Sequence, residues 1–178
     1  MSLAGRKSNC SVGVPVDFYW WNCNDPDPVA HIEENVSALW EAIRAPGRRL
    51  WNPYNTATVK GEFRQRLKRA AAGNLRPIDE VKPMDPAADS SLFEIRWNTI
   101  NTVERVDGAP ARFATARARL IHAEPLEPGV LCAVGLHAHE KVVFDNDPKA
   151  TRDAQDREVE FARAREAQCA LAGWPVVR

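Results

Sequence analysis

Three of the chain's four histidines, His122, His137 and His139, fall in short apolar runs that read as strands. Residues two apart on a strand share a face, so His137 and His139 can point at one spot. That pairing suits two kinds of chemistry: a metal held by neutral imidazoles, or proton transfer by a side chain that titrates near neutral pH. The glutamate and glycine that complete known His-x-His strand sites are not at the expected spacing, and Glu140 should face the other side. The expectation is therefore no bound metal and no other cofactor. A second signal is the stripe Lys60, Arg64 and Lys68, at i, i+4 and i+8 of one helix, with Arg66 and Arg69 alongside. It reads as a solvated helix surface or as a row that tracks phosphates.

Other chemistries are excluded by what is missing. There is no G-x-x-x-x-G-K-[ST] loop, no G-x-G-x-x-G fingerprint, no G-x-S-x-G elbow and no H-E-x-x-H pair. The four cysteines, Cys10, Cys23, Cys132 and Cys169, lie far apart and form no C-x-x-C pair, as expected for reduced thiols. Lysine plus arginine and aspartate plus glutamate both number 24, so no global charge announces nucleic acid or membrane. The start has no continuous apolar run of the signal-peptide kind, and no stretch approaches membrane-spanning length. A soluble, cytoplasmic protein is expected, and 178 residues suffice for one core with an extension.

The elements that must position these residues follow from periodicity. Phe93, Ile95 and Trp97 alternate with Glu94 and Arg96, the period of a half-buried strand. Leu120–Ile121 and residues 131–136 predict two more strands, richer in apolar residues and so more central. After Asp156 the period becomes helical through Val159, Ala162, Arg165 and Cys169, until Gly173 and Pro175 stop it. Upstream, Asp27 with Pro28 predicts a helix start whose apolar face is Ile32, Val36, Leu39 and Ile43. A second helix is predicted from about Thr58 to Ala72, with Val59, Phe63, Leu67 and Ala70 inward. Residues 1–16 promise little structure. The aromatic cluster 17–21 reads as a lid over the core, with a base-stacking surface as the sharper alternative. Residues 1–50 are thus expected to be an N-terminal extension, and residues 51–178 the main domain. Residues 76–90 read as a Pro-containing linker. The fold class expected is α+β: helices packed on a small, twisted antiparallel sheet, closed by a C-terminal helix.

The order of these elements and several short motifs resemble the RelE/HigB-like toxins of bacterial toxin–antitoxin modules, particularly the phage-associated branch. Residues 92–96 (LFEIR) match that family's first strand signature, residues 119–122 (RLIH) the second, and Leu136–His137 the third. Residues 149–151 and 158–162 match its lysine-rich loop and last helix. The resemblance spans about residues 58–170.

The resemblance implies a RelE-like fold and a ribosome-dependent endoribonuclease that cuts mRNA, with a helix-turn-helix antitoxin as partner. In that reaction a ribose 2′-OH attacks the adjacent phosphate, so the protein must stabilise a phosphorane and move two protons. The catalytic candidates are Arg119 and Arg96 for the charged oxygens, since the guanidinium fork binds them bidentately, and His122 or His137 for the proton. Lys141, Lys149 and Arg152, with Lys60, Arg64 and Lys68, are the RNA-binding candidates. The alternative is a non-catalytic binding or regulatory protein on the same fold.

Overall fold

Each of the three α-helices among the described residues begins where a polar side chain caps it and a proline occupies the first turn. Asp27 accepts from the Val29 amide, Asn52 from Asn55 and Asp147 from Ala150, giving α1 (Pro28–Arg44), α2 (Pro53–Ala71) and α3 (Pro148–Leu171). The computed structural model describes residues 6–84, 91–126 and 131–174. Six strands accompany the helices: β1 (Asp17–Trp20), β2 (Arg49–Leu50), β3 (Val81–Pro83), β4 (Leu92–Val106), β5 (Ala109–Ala123) and β6 (Cys132–Glu140). They form one sheet in the order β1-β6-β5-β4-β2, with β3 also on β4.

The α+β class stands, with differences in detail. The sheet is mixed rather than wholly antiparallel, because β1 runs parallel to β6, with Phe18 opposite Ala133. The aromatic cluster is therefore a strand of the sheet and not a lid over it. The described part of residues 1–50 belongs to the same core as the rest: α1 packs on the sheet, and a Cβ at Gly135 of β6 would run into the Asn35 side chain of α1. Arg49, buried at the sheet's end, donates to Ile43 O at 2.6 Å and forks onto both carboxylate oxygens of Glu140 at 2.9 and 2.5 Å. Even the first turns are tied down. Glu124 is fully buried and accepts from Ser8 Oγ (2.5 Å), the Asn9 amide (2.8 Å) and His122 Nε2 (3.1 Å).

The helices cover both faces of the sheet. On one, Phe18, Trp20, Phe93, Ile95, Trp97 and Leu120 pack with α1 and α2. On the other, Leu92, Ile121, Val134 and Leu136 pack with Ala162 and Cys169 of α3. Strands β4 and β5 run on beyond this core as a hairpin closed at Asp107–Gly108, with Gly108 at φ +71. That two-residue connection, with a glycine in the left-handed region, suits the twist of a tight hairpin.

Candidate functional site

The face under α3 is not fully covered. Where the first half of α3 passes over β4–β6, a cleft of about 300 Å3 opens, lined by Lys82, Glu94, His139, Lys141, Asp156 and Arg163 among others. Strand register puts these side chains together: Lys82 pairs with Glu94 across β3 and β4, and Arg96, Arg119 and His139 stand in line across β4, β5 and β6. Cross-strand partners share a face. Lys82, Lys141 and Arg163 have no ion-pair partner among the described residues. Burial, then the positive charges of Arg119 and Lys82, holds the Lys141 ammonium below its usual range.

Beneath this cleft lies an ion cluster. Glu94 Oε1 sits 3.4 Å from Arg119 Nε and 3.6 Å from Arg96 Nε. Arg119 is only 1% exposed. Its Nη1 donates to Trp97 O (3.0 Å) and Ala118 O (2.7 Å), and its Nη2 to Asn98 Oδ1 (2.9 Å). Burial brings its pKa down to about 10, against the support of Glu94. Arg96 Nη1 donates to Ile78 O at 2.8 Å. Both arginines thus lie beside the cleft, but their groups bind protein: they fix β4 against β5 and the 76–81 turn.

The histidines divide. His137 and His139 stack on one face of β6, centroids 5.7 Å apart, and Glu158 of α3 meets His137 Nε2 at 2.5 Å. These three residues have the types of a metal set, and their ligand atoms lie within 4.8 Å of one another. Arg165 argues against an ion. Its Nη1, which can only donate, lies 3.1 Å from His137 Nδ1, so Nδ1 accepts and the ring proton sits on Nε2, facing Glu158. A metal-bound imidazole has the reverse arrangement, with its outer nitrogen donating to an acceptor. His137 is consequently locked by hydrogen bonds, and His139 is the imidazole that lines the cleft. Burial drives the pKa of His139 to about 4, outweighing Glu158, and leaves it neutral. Its Nδ1 is buried without a hydrogen-bond partner.

The remaining candidates lie elsewhere. His122 belongs to the opposite face, between Phe18 and Phe93, where it serves the Glu124 cluster with Cys10 Sγ 3.8 Å away. Its site is closed to substrate because strand parity places it under α1 and α2. The stripe on α2 also belongs to that layer: Arg64 forks onto Glu33 at 2.5 and 2.7 Å, Lys60 lies over the Trp40 ring, and Lys68 is exposed. Lys149 and Arg152 sit exposed in the first turns of α3 instead of a loop, because Asp147 and Pro148 start that helix early. A further cavity of about 400 Å3, beside Arg66, Arg69 and Arg76, is less promising. All three guanidinium groups converge on Glu80. Burial alone would raise its carboxyl, but their bonds and charges bring it to about 2.

Sequence reasoning missed Lys82, Arg163, Glu158 and the place of His139 at the cleft. Glu158 was within reach, since 158, 162 and 165 fall on one helical stripe. Lys82 carried no signal inside a proline-containing linker. Comparisons of the chain with protein-family models, with curated proteins and with solved structures find no match.

Proposed function

We propose that the cleft binds the phosphodiester backbone of RNA, and that the protein is a ribosome-dependent mRNA endoribonuclease of RelE/HigB type, the toxin of a toxin–antitoxin pair. The observation that carries this reading is the cleft itself: Lys82, Lys141 and Arg163 have no ion-pair partner among the described residues and stand beside a neutral imidazole, with Glu94 and Asp156 in the same lining, in a chain whose formal net charge is zero. The consecutive antiparallel strands β4, β5 and β6 followed by α3 support it, with α1 and α2 set earlier among the short strands β1, β2 and β3.

In this reading a phosphate enters between Lys82, Lys141 and Arg163, whose charges oppose its oxygens more strongly as the phosphorane forms. His139, neutral at working pH, accepts the 2′-OH proton. Lys141, with its lowered pKa, is the readier donor to the departing 5′-oxygen. Arg119 and Arg96 position the strands and touch no substrate. The cleft offers few convergent acid–base groups, so alignment of the message falls to the ribosome. The neighbouring reading frame should then encode a small helix-turn-helix antitoxin.

A second reading is a non-catalytic RNA-binding or regulatory protein on this fold. The burial of Arg119 favours it, since the resemblance gave the phosphate to that arginine. Purified protein added to a translation reaction separates the two. The enzyme cuts message only while it is translated, and Lys141→Ala slows cutting by about a hundredfold, the usual loss for one charge-stabilising donor. Intact message at stoichiometric, folded protein leaves the binding reading.

A further inference from the structure

Next to the cleft, on the other side of Lys82, lies a second hollow of about 470 Å3. Its walls include the apolar Pro77, Ile78 and Met84, its rim carries Arg6, Lys7 and Lys82, and among the described residues no acidic side chain lines it. Lys82 and Met84 line both cavities, so the two lie side by side at β3. Ile78 is conspicuous here. Its φ is +69, a left-handed conformation that a β-branched residue adopts only under strain, and its side chain is 71% exposed. Glycine or asparagine would form the same turn without strain. An exposed, strained isoleucine gains nothing for stability from either property.

We infer that this hollow is a nucleobase subsite: a nucleotide of single-stranded RNA places its base against Pro77, Ile78 and Met84 while its phosphate meets Lys82 at the neighbouring cleft. This rests on the RNA reading proposed above and names where that RNA is read. The occupant follows from the chemistry. A flat apolar face joined to an anionic backbone fits an apolar hollow whose charged residues, among those described, are all cations, and every base offers such a face. A base held in a duplex cannot enter, which selects single strands.

The test uses the full chain and a labelled 12-nucleotide single-stranded RNA at low salt, followed by fluorescence anisotropy, with a duplex of the same length and inorganic polyphosphate as comparison probes. Wild type should bind the single strand at least tenfold more tightly than either comparison probe. Ile78→Gly should weaken single-strand binding by about tenfold, the loss of one base contact, with the slope of log Kd against log salt unchanged and thermal stability equal or higher. Lys82→Ala should weaken binding and lower that slope by about one phosphate contact. If Ile78→Gly binds RNA like wild type, the base subsite is wrong while the phosphate cleft stands. If polyphosphate binds as tightly as RNA, the hollow reads no base and the inference fails. If the single strand does not bind at all, this inference and the RNA reading fall together.

Discussion

His137 gives its Nε2 proton to Glu158 at 2.5 Å while Arg165 fills the acceptor on Nδ1 at 3.1 Å. That pair of bonds decides between two uses of the same three residues. With a guanidinium where a metal site would carry an acceptor, an ion at Nε2 would have to displace the proton that Glu158 receives and would gain no support from the outer nitrogen. The trio of His137, His139 and Glu158 should hold no stoichiometric transition metal in the purified protein. Elemental analysis finding about one zinc, iron or manganese per chain, lost in His137→Ala, would overturn this.

Arg119 is a folding residue before anything else. Truncating it leaves Glu94 and the Trp97 and Ala118 carbonyls without their buried donor. Arg119→Ala should cost about 3–5 kcal/mol, the range for breaking a buried pair by removing one partner. Urea denaturation checks this. A midpoint within error of wild type would mean that Arg119 is free to act elsewhere.

The pH dependence has a definite sign. His139 is held neutral with a pKa of about 4, while in the unfolded chain it regains its ordinary value near 6.5. The unfolded state therefore binds the proton first. This stability is complete above pH 6.5 and is lost as pH falls from there to about 4, on the order of 3 kcal/mol in all. Glu158 opposes the shift; His137, Arg119 and Lys141 reinforce it. The carboxylates Glu80 and Glu124, whose pKa values are lowered, act only below their unfolded values near 4.5. The loss from His139 should therefore set in before those two carboxylates act, in the window between pH 6.5 and 4.5. Denaturation midpoints across that window should fall in wild type and flatten in His139→Gln; a flat wild-type profile would contradict the burial.

Deleting residues 1–50 removes β1, α1 and Arg49, and also Ser8 and Asn9, which hold Glu124. The remainder should lose cooperative unfolding, bind apolar dyes and aggregate. A cooperative transition in the truncated chain would restore the view of this segment as an addition. In the full chain, Glu124→Gln should cost about 2 kcal/mol, since at least one of its donors is left facing an amide N–H.

Local signals made part of this legible. The Asp27–Pro28 cap, the inward faces of α1 and α2, and the alternation at 93–97 are properties of neighbouring residues. Strand β1 was not readable, because residues 17–20 pair with a strand more than a hundred positions later and show no alternation. The outer part of the β4–β5 hairpin escaped for a related reason: residues 109–113 are exposed, so no buried face imposes a period. Asp107–Gly108 was nevertheless a usable turn signal. At the site, the two-residue spacing of His137 and His139 gave their common face. Which of them is locked depends on Glu158 and Arg165 arriving from α3. The motif match at Arg119 likewise carried no sign that Glu94 would draw it inward.

On the proposed function, the cleft of Lys82, His139 and Lys141 cuts RNA on the ribosome. The most direct measurement is primer extension on a translated message after induction in growing bacteria, comparing wild type with Lys141→Ala. Lys141 is only half-buried and unpaired, so its loss should leave folding intact. Wild type should arrest growth and leave discrete cuts within the translated region, and Lys141→Ala should remove both while accumulating to the same level. A folded, abundant wild type that leaves growth and message untouched would contradict the account.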